Sequence, residues 1–494
     1  MSSQISSDRS EISERSGTTG RAWLWTRRIL LTVLVLFVLL VVVVIGALFY
    51  FQVPQNSAGL AAQSLCSGTF VAGRAAQEVF TEDVLPQSPA LSLISMEVDQ
   101  AGSSVTAKFL GVVSRQASLL PDRGCVLDLP PDPAAQSFVA SAPDPFPWPQ
   151  GDAAVPESQW GDDVDTRGLR ETVDAAFVGA GDPTAANTRA LAVVHNGKLL
   201  VSRQAEGFLP TTPLLGWSMT KTVNGMLAYK ALQEAGVSLD TPVIDAFPAG
   251  REPPWVAEWR GDERGRMTVQ DLFTMNSGLD FGDDYGPLAK VVKMLYSEPS
   301  MADYAASQPA SHEPGTYWEY STGVADILSQ VVQGQFAADE EYWRYPGQNM
   351  FEPIGVDSAT LASDTSGTWV GGSYLWADTG DWARLGLMMM SDGKLEDARV
   401  LPAGWWEYAS TPASRDGEGN GYGAQTWRPG AEFGGECHDF AVPPDTLAMQ
   451  GHYGQLVAMV PSREAVIVRL GWTIDREQFD SCQLIEDVLS ALPE

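Results

Sequence analysis

From Ile29 to Phe51 the chain runs 23 residues without a charged side chain. As a helix rising ~1.5 Å per residue the stretch reaches about 34 Å, while the hydrocarbon core of a bilayer is about 30 Å thick. It reads as a transmembrane helix. A signal peptide has an apolar core of only ~7–15 residues closed by a small-residue cleavage site, and no clear site follows here, so retention as an anchor is expected. Arg27 and Arg28 abut the start of the run, and the next basic residue is Arg74. Positive charge stays on the cytoplasmic side of a membrane helix. Residues 1–28 are therefore expected as a cytoplasmic tail and 29–51 as a single span of a bacterial inner membrane. All that follows is expected on the periplasmic, extracytoplasmic side.

The charge is placed unevenly about that span. Residues 1–28 hold five Arg against three acids, a balance of +2; the whole chain, with Lys+Arg 31 and Asp+Glu 62, carries −31, which leaves −33 beyond the tail. A phosphate backbone is bound by clustered cations, so nucleic acid is not an expected partner. With 494 residues, 44% hydrophobic and 19% charged, the chain can build a large core, and wholesale disorder is excluded.

Cys66, Cys125, Cys437 and Cys482 fall on the side where disulfides persist. Of the three pairings that four cysteines allow, Cys66–Cys125 with Cys437–Cys482 keeps each pair inside one segment of the chain. No C-x-x-C is present and Cys437-His438 stands isolated, so no metal site is expected.

Gln52 to about Ala62 reads as a short stalk within a small extracytoplasmic module, 52–127. That module carries β-type runs at Thr69–Val71 and Val105–Val113, closed by two cysteines. Seven prolines between Pro130 and Pro149 mark 128–163 as a semi-stiff linker or a strap lying on a surface. The remainder, 164–494, mixes helix and strand signals. Thr166–Val178 is helical in pattern, Ala190–Val201 is two apolar runs about Asn196-Gly197, and Ser218–Ala235 is helical in composition. The chain closes with strand-like Met449–Met459 and Ala465–Trp472 and an amphipathic helix, Arg476–Leu492. An antiparallel sheet built from both ends of the domain, flanked by helices and interrupted by a helical insertion, gives the expected fold class, α+β.

Ser218-Met219-Thr220-Lys221 is an S-x-x-K at an expected helix start. The i, i+3 spacing puts both side chains on one face, where the amine can take the hydroxyl proton, and a helix start aims N–H groups at an oxyanion. Alone, the tetrapeptide reads equally as an N-cap serine with a solvated lysine, although the chain has only seven lysines. Tyr320-Ser321-Thr322 enters an apolar helix, Val324–Val332, and a phenol beside an ammonium can relay a proton. His452-Tyr453-Gly454-Gln455 enters the strand Leu456–Val460. A glycine at 454 lets a substrate lie close to that strand, and the Gln455 N–H is a candidate oxyanion donor.

In the order S-x-x-K, Y-x-x, H-x-G, these pieces resemble the serine hydrolases of the class C β-lactamase and penicillin-binding-protein superfamily, which includes family VIII esterases, D-amino-acid peptidases and 6-aminohexanoate-dimer hydrolases. Met267–Leu279 and Asp381–Leu387 ahead of Leu401-Pro402 are similar as well, and the resemblance covers about 166–490. Cys66-Ser67-Gly68 is similar to the N-terminal extension of some membrane-anchored members. The resemblance implies a β-lactamase/transpeptidase-like fold and a catalytic set of Ser218 as acylated nucleophile, Lys221 as base and Tyr320 as acid/base. Thr322, His452, Gly454 and Gln455 are implied as substrate-binding or oxyanion positions, with no cofactor. Thr322 stands where the β-lactamase pattern has Asn and His452 where it has Lys, so penicillin-type carboxylates are expected to be poorly held. The expected function is hydrolysis of a small-molecule ester or amide by a membrane-anchored serine hydrolase. The alternatives are a β-lactamase or D-Ala-D-Ala peptidase-like activity and a sensor of the same fold that does not turn over. No G-x-S-x-G is present for an α/β-hydrolase.

Overall fold

The computed structural model describes residues 8–139, 142–414, 421–431 and 435–494, with the side chains of residues 8–22 and 45 outside that description. Parts of the expected tail (1–7), of the Pro-rich segment (140–141) and of the expected hydrolase domain (415–420, 432–434) thus lie outside the described residues. Two units are present, Met1–Pro54 and Gln55–Glu494.

In the first unit, helix α1 (Asp8–Tyr50) continues unbroken from the tail into the apolar run. Trp23–Tyr50 is long and apolar enough to cross a membrane, and its described side chains are exposed.

The second unit opens with a departure from expectation. Residues read as a stalk are helical, α2 (Val53–Cys66). Ala58, Ala61, Ala62 and Leu65, at i, i+3, i+4 and i+7, are fully buried, so the face is real but built mostly of alanine. Small residues allow a close approach: a Cβ on Gly59 would lie 2.1 Å from the Tyr296 carbonyl oxygen. Thr69–Val71, read as β-type, instead belongs to the helical turn Ser67–Val71. Its side chains are buried beside the Cys66–Cys125 disulfide, and burial overrides a β preference worth less than ~1 kcal/mol. Val105–Val113 spans two strands of the antiparallel meander β1 (Ile94–Asp99), β2 (Ser104–Phe109), β3 (Val113–Leu120) and β4 (Gly124–Leu127). Leu110 and Gly111, both at positive φ, make the turn between β2 and β3.

Residues 52–127, expected as a separate module, share one core from Ala58 onward with the rest of the second unit. A four-stranded meander with one helix has little apolar surface to bury by itself, which is the physical reason for the merger. Asp83 accepts from Arg74 at 2.5 Å and from Arg189, and all three side chains are buried. Arg123 donates to Ser363 Oγ (2.8 Å) and to the Asp364 carbonyl (2.9 Å). Within the Pro-rich segment, residues 148–155 are hydrogen-bonded to distant parts of the second unit. Arg384 donates to the carbonyls of Pro149 (3.0 Å) and Gly151 (2.7 Å), Trp148 Nε1 to that of Gly380 (3.3 Å), and Val155 N to that of Leu199 (2.9 Å).

After α3 (Thr166–Ala176), the strands β5 (Thr188–His195) and β6 (Lys198–Gln204) form a hairpin whose turn residues, Asn196 and Gly197, both have positive φ. That is the backbone an Asn-Gly pair favours. The middle of the chain supplies α4 (Met219–Glu234), α5 (Lys290–Ser297), α6 (Thr322–Gln333) and α7 (Thr379–Met390). A small sheet of β7 (Leu214–Leu215), β8 (Thr360–Leu361) and β9 (Leu375–Ala377), and a hairpin of β10 (Lys394–Leu395) and β11 (Ala398–Arg399), lie among them. The C-terminal part adds β12 (Leu447–Gly451), β13 (Gln455–Val460), β14 (Ala465–Gly471) and α8 (Ser481–Ser490). The main sheet is antiparallel with order β12-β13-β14-β5-β6, so both ends of the domain meet at the β14–β5 pair. Alternate residues face opposite ways. Val457, Met459, Val466 and Val468 join the large core with α4 and α7, whereas Leu456, Ala458, Ala465 and Ile467 pack with α3 and α8. A strand covered on both faces reads as a near-continuous apolar run, as Leu456–Val460 of β13 and Ala465–Val468 of β14 do. Cys437–Cys482, with Cα atoms 5.3 Å apart, is the second disulfide and ties down the start of α8.

Candidate active site

Ser218 is the residue before α4 and makes no capping hydrogen bond with its side chain, so the N-cap reading does not describe it. Trp217 just ahead holds φ +48, a left-handed conformation that costs a bulky residue about 1 kcal/mol or more, in the turn between β7 and α4. Gly216 permits the packing beneath it: a Cβ there would lie 2.3 Å from the Trp382 ring. Gly451, at the end of β12, would bring a Cβ to 2.1 Å from the Gly216 carbonyl oxygen. The main sheet thus closes directly on the turn that carries Ser218.

Lys221 is 1% exposed, not solvated. Its ammonium donates to Ser218 Oγ (3.0 Å), Thr322 Oγ1 (2.7 Å) and the Gly372 carbonyl (3.0 Å), which uses all three of its donors. The Tyr320 ring centroid lies 4.6 Å from Nζ. Burial pushes the Tyr320 phenol above its ordinary value; the Lys221 charge and hydrogen bonds to Ser218 and Lys221 oppose that shift, and Asp283 adds to it. The ring is held edge-on by Tyr422 and tilted against Trp427, with centroids 5.7 and 5.0 Å away.

The structure thus brings Ser218, Lys221 and Tyr320 together, with Thr322 behind them. Thr322 is fully buried and absent from the cavity wall. Its hydroxyl accepts from Lys221 and donates to Asp283 Oδ2 (2.7 Å), and its N–H donates to Asp283 Oδ1 (2.7 Å). An oxyanion or substrate contact is therefore not what this residue offers.

His452, Tyr453 and Gly454 form the turn between β12 and β13, with Gly451 paired to Gln455. All four residues His452–Gln455 line the cavity in front of Ser218, whose volume is about 390 Å³. Gly454 has φ +79, and a Cβ there would lie 2.5 Å from Arg469 Nη1, so the turn and the arginine demand glycine rather than the approach of a substrate. Arg469, fully buried, donates to the carbonyls of Tyr453 (3.2 Å) and Gly454 (2.8 Å) and fixes the turn. The Gln455 side chain points back to Gly471, donating to its carbonyl at 2.7 Å. The His452 ring stacks on Tyr285 (4.5 Å) and meets Trp217 edge-on (5.5 Å). Burial, helped by the nearby Arg476 charge, pushes its pKa down to about 3, so the imidazole is neutral at physiological pH.

Asp283, Tyr285, Trp427 and Arg476 also line the cavity and were not foreseen. Nothing in the spacing of Phe281-Gly-Asp-Asp-Tyr285 relates it to Ser218; only the fold does. Arg476 matters for the expectation about carboxylates, because it sets a cation beside the neutral His452. The N-terminal segment also reaches the site, with Tyr453 Oη donating to Gln87 Oε1 at 3.2 Å.

The sequence profile of the Beta-lactamase family matches residues 173–471, more than half of the chain. The chain is similar to the 6-aminohexanoate-dimer hydrolase of Paenarthrobacter ureafaciens, at 22% identity over 305 residues, 57% of this chain and 72% of that protein. A Bacillus anthracis structure provisionally named a 6-aminohexanoate-dimer hydrolase superposes with TM-score 0.51 at 20% identity, covering 66% of this chain and 83% of that one. A Bacteroides dorei structure provisionally named a beta-lactamase gives 0.50 at 17% identity, covering 66% and 97%. At such identities the structures speak for the fold alone, an α+β architecture with antiparallel sheets. A sequence that satisfies the family's profile over that span and takes that fold belongs to the Beta-lactamase family, and its hydrolase relatives make it a serine hydrolase.

Proposed function

We propose that this protein cleaves a small ester or amide through an acyl-enzyme on Ser218, at the outer face of a membrane to which α1 anchors it. The observation that carries the chemistry is the 3.0 Å hydrogen bond from Lys221 Nζ to Ser218 Oγ inside a buried network, on a serine spared from capping. In the proposed reaction the Ser218 oxygen attacks the substrate carbonyl as its proton passes into the Lys221–Tyr320 pair. The Tyr320 phenol protonates the departing alcohol or amine, and water, deprotonated by the same pair, releases the acid and restores Ser218. Oxyanion donors are assigned to the backbone of Ser218 and of the His452–Gln455 turn.

Support for small linear substrates comes from the cavity, which offers aromatic walls, a neutral His452 and two charged groups, Asp283 and Arg476. The similarity to an enzyme named for an amide dimer points the same way. Arg476 is exposed, so solvent screens it against a substrate carboxylate, and a buried charge-assisted hydrogen bond is worth roughly 1.5–3 kcal/mol more than none. A short acyl ester is therefore expected to show kcat/KM at least about tenfold above that of a cephalosporin. If the cephalosporin is the better substrate, β-lactamase replaces this reading.

Anchoring is supported by the charge step across Ile29–Phe51, by the length of the apolar helix and by two disulfides beyond it. Protease added to intact spheroplasts should degrade the part beyond α1. Protection of that part would overturn the outward orientation.

A further inference from the structure

We infer that Asp283, acting through the Thr322 hydroxyl, sets the protonation of the Lys221–Tyr320 pair; it is a positioning residue that rests on the reading of Ser218 as nucleophile. The direction of the hydrogen bonds is forced. An ammonium has only donors, and a threonine hydroxyl has one proton, so Thr322 Oγ1, having accepted from Lys221 at 2.7 Å, must give its proton to Asp283 Oδ2, also at 2.7 Å. The second carboxylate oxygen accepts the Thr322 N–H at 2.7 Å, which fixes the carboxylate where α6 begins. Asp283 Oδ2 then lies 3.8 Å from Nζ, with side chains 1% and 9% exposed.

Other titratable groups face Lys221 as well. Tyr320 lies over it, and Tyr285 stands beside Asp283 in the same wall. Asp326 on α6 accepts the Gly372 N–H at 3.0 Å, from the residue whose carbonyl takes the third Lys221 bond. Burial raises the Asp326 carboxyl well above the usual range, which disfavours its charged form, and its oxygen braces Gly372. Asp283 is the carboxylate in ion-pair distance of Lys221, at 3.8 Å, and supplies the charge. Beside an anion an ammonium is favoured over an amine, and a phenol over a phenolate. Whichever group receives the serine proton must first lose its own in the field of Asp283, so both routes carry the same sign. The carboxylate holds the geometry and moves the rise of activity to higher pH.

The test uses the full-length chain in detergent. Asp283→Asn keeps the shape and removes the charge; the rising limb of its kcat/KM profile should move down by about one pH unit or more, as for an opposite charge within ~4–6 Å. Thr322→Val, which cuts the link, should lose activity and Thr322→Ser should recover most of it. The Lys221 pKa, followed by NMR on 13C-labelled lysine, should fall in Asp283→Asn and in Thr322→Val but not in Thr322→Ser. A merely structural Asp283 would lower stability or amplitude without moving the limb or the lysine titration, and that result overturns the inference. If Asp283→Asn does not fold, the two Thr322 variants decide it by the same readouts. A wild-type chain that neither labels at Ser218 nor hydrolyses esters would count against the proposed function, while the lysine titration would still decide this inference.

Discussion

Ser218→Ala is expected to lower hydrolysis of a short acyl ester by roughly 10⁴-fold or more and to abolish the adduct that a fluorophosphonate leaves on the wild-type protein. The size follows from the way nucleophile and base act as a unit: removing one member leaves only binding and oxyanion contacts. Fold and stability should be nearly unchanged. The Ser218 hydroxyl is not a helix cap, and without it Lys221 still donates to Thr322 and Gly372. Peptide mapping by mass spectrometry of the labelled chain reads the position of the adduct directly. A folded Ser218→Ala protein that still labels and turns over would remove the basis of the mechanism. Lys221→Ala should lose most activity too, and here stability should fall as well, since three acceptors around a buried ammonium lose their donor.

Asp83→Ala is expected to carry the largest stability cost, about 3–5 kcal/mol. Arg74 and Arg189 reach the carboxylate from opposite sequence neighbourhoods, one in the N-terminal segment and one on β5, with all three side chains 4–6% exposed. Removing the anion leaves two buried guanidiniums facing one another. Glu82 still pairs with Arg74 at 2.5 Å, but its side chain is about half exposed and it does not reach Arg189 in that way. Asp83 also shares a small cavity with Trp217, so the loosened packing reaches the residue before Ser218, and activity should decline together with stability. Denaturant unfolding should show a single transition displaced to lower denaturant. Two transitions with only one displaced would mean that residues 55–127 unfold by themselves, against the shared core.

What the sequence by itself determined was local and periodic. An uncharged run needs no partner to declare its length, Asn196-Gly197 dictates its own turn, and S-x-x-K puts two side chains on one helix face wherever that helix lies. The order of the three motifs was legible for the same reason, since each is short and carries its chemistry within a few residues. Tertiary structure decided the remainder, because burial and charge are properties of neighbours distant in the chain. The alanine face of α2 and the β-type residues Thr69–Val71 became helical core only through contact with β4 and α5. The glycine of the His452–Gln455 turn serves Arg469, fifteen residues on, rather than a substrate. Thr322 reads as a weak substitute for Asn until Asp283, thirty-nine residues earlier, is seen to take its proton. The histidine in the place of a lysine is neutral whatever the solution pH near 7, because aromatic rings enclose it and Arg476 adds its charge nearby. Spacing places atoms within a turn of helix or strand; which atoms lose their water and which charges face them is settled only when the sheet closes on the helix that carries Ser218.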